Sequence, residues 1–207
     1  AAAQTDVILH AEQAAFRQVD IEVPPAAAAG GGEEARAAAA LLGQVNVSDL
    51  QLSGLFRVGG PLARGGADLK CTFRIEGDLA GDPPAAPGPG GAPALSLKLL
   101  TLPEGQLVLG KRYGPARTQL RATVHHFVDQ VVRLLTGEPG VSLSRICFSR
   151  GRGDRRDLYV VDYDGENLTR LTANRTLNLC PSWSPDGRRL AFTSYHRGLQ
   201  GINLLDT

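Results

Sequence analysis

At 207 residues and 43% hydrophobic, the chain is long enough for one large or two modest domains, and two is the better reading. Its 22 basic and 21 acidic residues leave a formal charge of +1, which excludes a long-range field that would draw the whole chain onto nucleic acid or an anionic membrane. No apolar run approaches the roughly 18 residues of a membrane-spanning helix, so partners have to be recognised by shape and local contacts.

In chain order, the first extended stretches are Val7-Ile8-Leu9 and Val19-Asp20-Ile21-Glu22-Val23, the second alternating and stopped by Pro24-Pro25. It reads as a strand or edge element behind a loosely held N-terminus. Ala26 to Gly32 reads as a linker, and Glu33-Glu34 place carboxylates at the positive end of a helix. That helix carries Ala37, Leu41, Val45 and Leu52 along one stripe and ends near Ser53-Gly54. Lys70 to Glu76 alternates as a half-buried strand with Cys71, Phe73 and Ile75 inward, while residues 77 to 94 offer little but Gly, Pro and Ala and are expected to form a flexible loop.

Two further strands, about Leu95 to Leu102 and Gln106 to Tyr113, are joined by the turn Pro103-Glu104-Gly105. The next helix is the clearest local pattern. Leu120, Val124, Phe127, Val128, Val131, Leu134 and Leu135 fall at helical spacing, with Arg121, His125, Asp129 and Arg133 on the opposite face, and Gly137 and Pro139 end it. The expectation is an α+β N-terminal domain over residues 1–140, two helices packed on a mixed β-sheet, with a boundary near Gly137 to Leu143.

Beyond it the chain repeats itself at a period of 44. Ile146, Phe148, Leu158, Val160 and Asp162 recur in the same spacing as Leu190, Phe192, Ile202, Leu204 and Asp206. A period of roughly 40–45 residues is that of one four-stranded β-propeller blade. Apolar alternation within each copy makes the units strands, so residues 141–207 are expected to form the start of an all-β propeller, a first blade and part of a second. Such blades usually bind and seldom catalyse unaided.

Several stretches then point to a family. They are Asp49-Leu50-Gln51-Leu52-Ser53-Gly54-Leu55-Phe56, Leu109-Gly110-Lys111-Arg112-Tyr113, Leu134-Leu135-Thr136-Gly137-Glu138-Pro139-Gly140, Asp157-Leu158-Tyr159-Val160-Val161-Asp162-Tyr163-Asp164-Gly165 and Pro181-Ser182-Trp183-Ser184-Pro185-Asp186-Gly187. In this order they resemble the N-terminal part of the TolB family, whose LSGLF stretch is taken as helical, and the resemblance covers nearly all of residues 5 to 207. It implies an α/β domain joined to a six-bladed propeller, without catalysis or cofactor. It implies a place in the periplasm of a Gram-negative bacterium, peripheral to membranes and with no small-molecule substrate. The partners it implies are TolA-like and Pal-like envelope proteins, coupled for outer-membrane constriction at division and for envelope integrity. The absence of methionine and the start Ala1-Ala2-Ala3-Gln4 suit a mature exported protein and, equally, a trimmed piece. The family's propeller is longer than residues 145 to 207, which hold about one and a half repeats, so the chain is expected to be truncated, with open sheet edges.

By position, Asp6, Val7, Ile8, Leu9 and His10 correspond to the family's TolA-contacting arm, and an extended peptide can add a strand to a partner's sheet; an ordinary edge strand is the alternative. Trp183, Ser184, Pro185, Asp186 and Gly187 form the turn of the propeller repeat, a pattern many propellers share. Gly151 to Arg156 holds three arginines in a loop that reads as a solvated hairpin, with phosphate or an acidic partner as the sharper alternative. The Asp-Gly pairs at Asp164-Gly165 and Asp186-Gly187 read as turns rather than calcium loops.

His125 with Asp129 offers too few ligands for a metal and is expected on the solvated helix face. Cys71, Cys147 and Cys180 lack metal-ligand spacing and are expected to be buried, unreactive thiols. No serine sits in a nucleophile elbow, so enzyme activity is not expected. The rival class is a propeller-gated serine peptidase of the prolyl oligopeptidase type, lacking its catalytic domain. A stand-alone homologue whose last strands pair with another subunit is a third possibility.

Overall fold

A computed structural model describes residues 18–29, 32–62, 70–80 and 95–207. Its first half is built on one mixed sheet. Strands β1 (Val19–Glu22), β2 (Ala27–Ala29), β3 (Phe56–Gly59), β4 (Phe73–Ala80), β5 (Leu95–Thr101) and β6 (Leu107–Tyr113) run in the order β3-β1-β4-β5-β6, and β2 also pairs with β4. β1 lies parallel to both β3 and β4. It is therefore an interior strand, the first of the two readings, and not an edge element. Part of the expected linker is strand as well, because Ala27–Ala29 pairs in parallel with Asp78–Ala80. β1 and β2 thus share one side of β4, interrupted at Pro24-Pro25, where the missing N–H groups could not continue a ladder.

Charges explain the polar look of β1. Asp20 opposes Arg57 at 2.6 Å and Glu22 opposes Arg74 at 2.9 Å, both across the strands, and Lys98 meets Asp78 at 3.3 Å. These side chains share the face that the helices leave open, whereas Ile21, Ile75, Leu79, Leu95, Leu97 and Leu99 point the other way and are fully buried. β4 begins at Phe73, later than the alternation suggested, and runs on through Gly77 to Ala80. Residues 81–94 of the expected loop lie outside the described residues, as does the Val7-Ile8-Leu9 stretch.

Two helices cover the apolar face, α1 (Glu33–Leu52) and α2 (Leu120–Thr136). α1 starts at the expected Glu33-Glu34, but its buried face is Ala35, Ala38, Ala39, Leu42, Val45 and Leu50, while Ala37 and Leu52 are exposed and Leu41 is half-buried. Alanine on every side of a helix gives no direction to its apolar face. α2 buries Leu120, Val124, Phe127, Val128 and Val131 as its spacing predicts, but Leu134 is exposed. Gly137, with φ of 78°, ends it in the left-handed conformation and returns its N–H to the carbonyl of Arg133. The LSGLF stretch is only partly helical. Its helix stops at Leu52, and Phe56 already belongs to β3.

The second half is two three-stranded antiparallel sheets, β7 (Arg145–Arg152), β8 (Arg155–Asp162) and β9 (Thr169–Arg170), then β10 (Asn178–Trp183), β11 (Arg189–Ser194) and β12 (Gly201–Asp206). The 44-residue echo extends to the pairing register. Arg145 opposes Asp162 and Ile146 opposes Val161; 44 residues on, Arg189 opposes Asp206 and Leu190 opposes Leu205. Burial does not repeat. Leu158 is fully buried, but its counterpart Ile202 is 75% exposed, because β9 and Thr172 flank β8 and β12 has no neighbour beyond β11 among the described residues.

Asn178 ties the two small sheets together. Fully buried, it donates to the Arg156 carbonyl at 2.8 Å, accepts from the Ser194 hydroxyl at 2.8 Å, and its own carbonyl accepts from Ser149 at 2.6 Å. The arginine loop is shorter than predicted. β7 and β8 run to Arg152 and from Arg155, leaving Gly153-Asp154 as the turn, and Arg152, Arg155 and Arg156 are exposed. None of the cysteines is fully buried: Cys71 and Cys147 are half-buried and Cys180 is exposed, and all three are free thiols.

Candidate functional site

The densest chemistry lies where the two halves meet. α2 places Arg121, His125 and Asp129 at successive i, i+4 positions, one above the other on a single stripe. That stripe was expected to face solvent. Instead it faces the joint, and His125 is only 4% exposed. His125 Nδ1 lies 2.6 Å from Asp49 Oδ2 on α1, and Asp49 is fully buried in the last turn of that helix.

On the ring's other side, His125 Nε2 lies 3.5 Å from Asp164 Oδ2, whose side chain is 3% exposed. Asp164 sits in the turn after β8, which closes by a hydrogen bond from Gly165 N–H to the Asp162 carbonyl at 2.9 Å. The turn reading of Asp162 to Gly165 therefore holds, but this turn does more than reverse the chain: it carries a carboxylate into the first half. Arg121 forms an ion pair with that carboxylate. Asp129, which the sequence paired with His125 as a weak metal candidate, instead accepts the backbone N–H of Ser142 at 2.9 Å.

Burial pushes the Asp49 carboxyl above its ordinary range, against the pull of the His125 hydrogen bond and charge, and the nearby Asp129 pushes the same way. Tyr163 is raised too, by burial first and then by Asp49 and Asp129. Asp49 Oδ1, His125 Nε2 and Arg121 Nε are buried without a hydrogen-bond partner among the described residues.

One ligand atom each from Asp49, His125 and Asp164 falls within 4.8 Å of the others. Two facts speak against a metal centre. The carboxylates approach different nitrogens of the ring, so an ion on either nitrogen meets only one of them directly, and the Arg121 guanidinium already neutralises Asp164. The arrangement is a buried ion-pair network that fastens two α-helices to a turn of the first small sheet. A crevice of about 370 Å³ opens beside it, lined by Leu55, Val132, Pro139, Val141 and Tyr163 among others.

The Tyr163 hydroxyl spans the same joint, donating to the Leu52 carbonyl at 2.8 Å. This bond is solvent-accessible, so Tyr163→Phe should lower stability by only about 0.5–1.5 kcal/mol in urea titration. A larger loss would mean that the ring's packing is disturbed as well.

Of the residues singled out in the sequence, Asp6, Val7, Ile8, Leu9 and His10 lie outside the described residues. Trp183 to Gly187 forms a hydrogen-bonded turn in which the Ser184 hydroxyl donates to Asp186 at 2.5 Å and Gly187 N–H donates to the Ser184 carbonyl at 2.9 Å. The Ser184 bond holds the Asp186 carboxyl below its ordinary range. Arg145 lies over the Trp183 ring at 4.8 Å and donates to the Gly187 carbonyl at 3.2 Å, linking the turn to the first small sheet. Asp49, which anchors the joint, was missed as a site residue although it opens the stretch Asp49 to Phe56; nothing in its local pattern distinguishes it from an exposed helix-end carboxylate.

No protein-family model matches the chain. Among curated proteins it is 37% identical over 109 residues to the Tol-Pal system protein TolB of Desulfosudis oleivorans, covering 53% of this chain and 25% of that protein. It is 37% identical over 101 residues to the Tol-Pal system protein TolB of Geobacter sulfurreducens, covering 49% and 23%. It is 35% identical over 161 residues to the one of Syntrophotalea carbinolica, covering 73% and 37%. The chain thus spans between about a quarter and two-fifths of the length of these relatives. Among solved structures, TolB from Acinetobacter baumannii shares the fold with a TM-score of 0.68 at 20% identity, over 92% of this chain and 47% of that one. These alignments and the shared order of motifs make the chain TolB-like over the stretch they cover, and the solved structure shares its fold.

Proposed function

We propose that the chain is a non-enzymatic, protein-binding component of a Tol-Pal envelope system, acting in the periplasm to couple TolA-like and Pal-like proteins. The observation that carries this reading is its 35–37% identity to proteins named as Tol-Pal components. In this reading residues 1–140 form an α/β domain and 141–207 the opening blades of a six-bladed propeller. The repeated strand register supports it, and so does β12, where Ile202 and Leu204 present the apolar side chains that a neighbouring blade would cover.

The arm Asp6, Val7, Ile8, Leu9 and His10 is the segment proposed to dock on the TolA-like partner by strand addition. Its three consecutive apolar residues put side chains on both faces of an added strand, which suits a partner edge that is covered on both sides.

The test is binding of the full chain, and of the chain lacking residues 5–13, to the C-terminal domain of a TolA-like protein by calorimetry at moderate salt, where weak surface charge is screened. Binding by the full chain that is lost with the arm is the expected result. Equal binding by both forms would move the contact elsewhere, and no binding by either would overturn the proposed TolA-like partner.

A further inference from the structure

We propose that the joint between the two halves is a pH-sensitive latch, closed by one proton held between Asp49 and His125 and opened when that proton leaves. This goes beyond the family reading and does not depend on any partner.

The argument is one of hydrogen-bond supply. Carboxylates accept, and His125 faces one at each ring nitrogen, Asp49 at 2.6 Å and Asp164 at 3.5 Å. A neutral imidazole beside two carboxylate anions has a single N–H, so one of the two contacts must set lone pair against lone pair. Adding one proton removes the conflict in either of two ways. The ring becomes imidazolium and donates on both sides, or Asp49 becomes the acid and donates to Nδ1 while Nε2–H turns to Asp164. The proton therefore belongs to the pair rather than to one residue.

Charge balance agrees. Asp49 from α1 and Asp164 from the turn after β8 face the ring, and Arg121 and Asp129 from α2 and the Tyr163 phenol complete the charged and titratable groups of the joint. Without the extra proton, three carboxylates face a single guanidinium in a nearly dry space. Asp49 and Arg121 both belong to the first half and Asp164 to the second, so the proton adds its contribution to the Arg121–Asp164 ion pair in holding the halves together.

The direction follows from linkage. The folded joint binds a proton that the unfolded chain releases at lower pH, so the latch contributes its full stability at acidic pH and loses it as pH rises through the pair's folded titration. In the unfolded chain a free imidazole releases this proton at about pH 6.5, so the window opens there and extends upward.

The experiment is urea unfolding of the full chain at a series of pH values, for wild type and for Asp164→Asn. In the variant the amide can donate to Nε2 of a neutral ring whose Nδ1–H still serves Asp49, so the conflict no longer exists. Freed Arg121 lowers the whole variant curve without tilting it. The difference between the two curves also cancels the titration of His10, His126 and His196.

The expected result is a wild-type stability that falls through the window with a slope of about one proton, and a variant that lacks this slope. Equal slopes in the two proteins, or a flat wild type, would overturn the latch. His125→Gln should flatten the curve as well; if that variant does not fold, Asp164→Asn alone decides.

Discussion

Phe127→Ala should cost about 3–5 kcal/mol, the largest single loss we expect from any side chain of the first half. Phe127 is fully buried on α2, in the cluster that joins both helices to the inner face of the mixed sheet, among Leu42, Leu50, Ile75 and Leu97. Alanine leaves a void that helices held at both ends cannot collapse to fill, so the cavity cost adds to the lost burial. Against a typical total of about 5–15 kcal/mol this is a large fraction. The chain has one tryptophan, Trp183, in the second half, so the helix signal in circular dichroism and the tryptophan fluorescence report on different halves. Urea titration should show the helix transition moving to much lower denaturant. Leu134→Ala, on the same helix but exposed, should shift it by less than about 0.5 kcal/mol. Similar losses in the two variants would mean that α2 does not seal the core through Phe127.

The contrast between these leucine and phenylalanine positions also shows how far the sequence could be read. Spacing located α2 because a wide apolar stripe of large residues has one orientation, and on that stripe it erred only at Leu134, in the last turn, which is exposed. The same reasoning misplaced the other face. Arg121, His125 and Asp129 look like a solvated row, and the pattern of one helix cannot reveal that a turn forty residues later brings Asp164 down onto it. α1 was located by its first carboxylates, yet its orientation was illegible because alanine lines it on all sides.

The alternation of Asp20 and Glu22 with apolar residues, stopped at Pro24-Pro25, left β1 readable as a strand or as an edge element. Their partners, Arg57 and Arg74, are 37 and 52 residues away, and only tertiary pairing could turn that polar face into an interior strand. β2 and β3, at three and four residues, are too short to carry a period. In the second half the period of 44 proved more informative than any local pattern, because it fixed the pairing register as well as the existence of strands. The joint, the chemically richest place in the described chain, draws its residues from three distant segments, and no window of sequence contains it.

The two glycines of the Thr136-Gly137-Glu138-Pro139-Gly140 stretch should then respond very differently to alanine. Gly137 needs its left-handed backbone, with φ of 78°, but a methyl there meets nothing, so Gly137→Ala should cost about 1 kcal/mol of backbone strain. Gly140 has an ordinary backbone and no room. A methyl would overlap the Cα, Cβ and carboxylate oxygen of Asp129, where the chain leaving α2 passes directly over the helix. The obstacle includes main chain, so no rotamer change can clear it, and the segment has to lift away. Lifting it breaks the bond from Ser142 N–H to Asp129 and draws Asp164 away from Arg121 and His125. Overpacking of this kind costs about 1–3 kcal/mol before those bonds are counted, so the total should exceed that of Gly137→Ala severalfold. The loss should fall on the coupling between the halves. In Gly140→Ala the helix and tryptophan transitions should separate further in urea than they do in wild type, and protease should cut sooner between Glu138 and Ser144. Equal effects at the two glycines, or a uniform loss with no change in the separation, would show that close approach at Gly140 is not what seats the second half on the first.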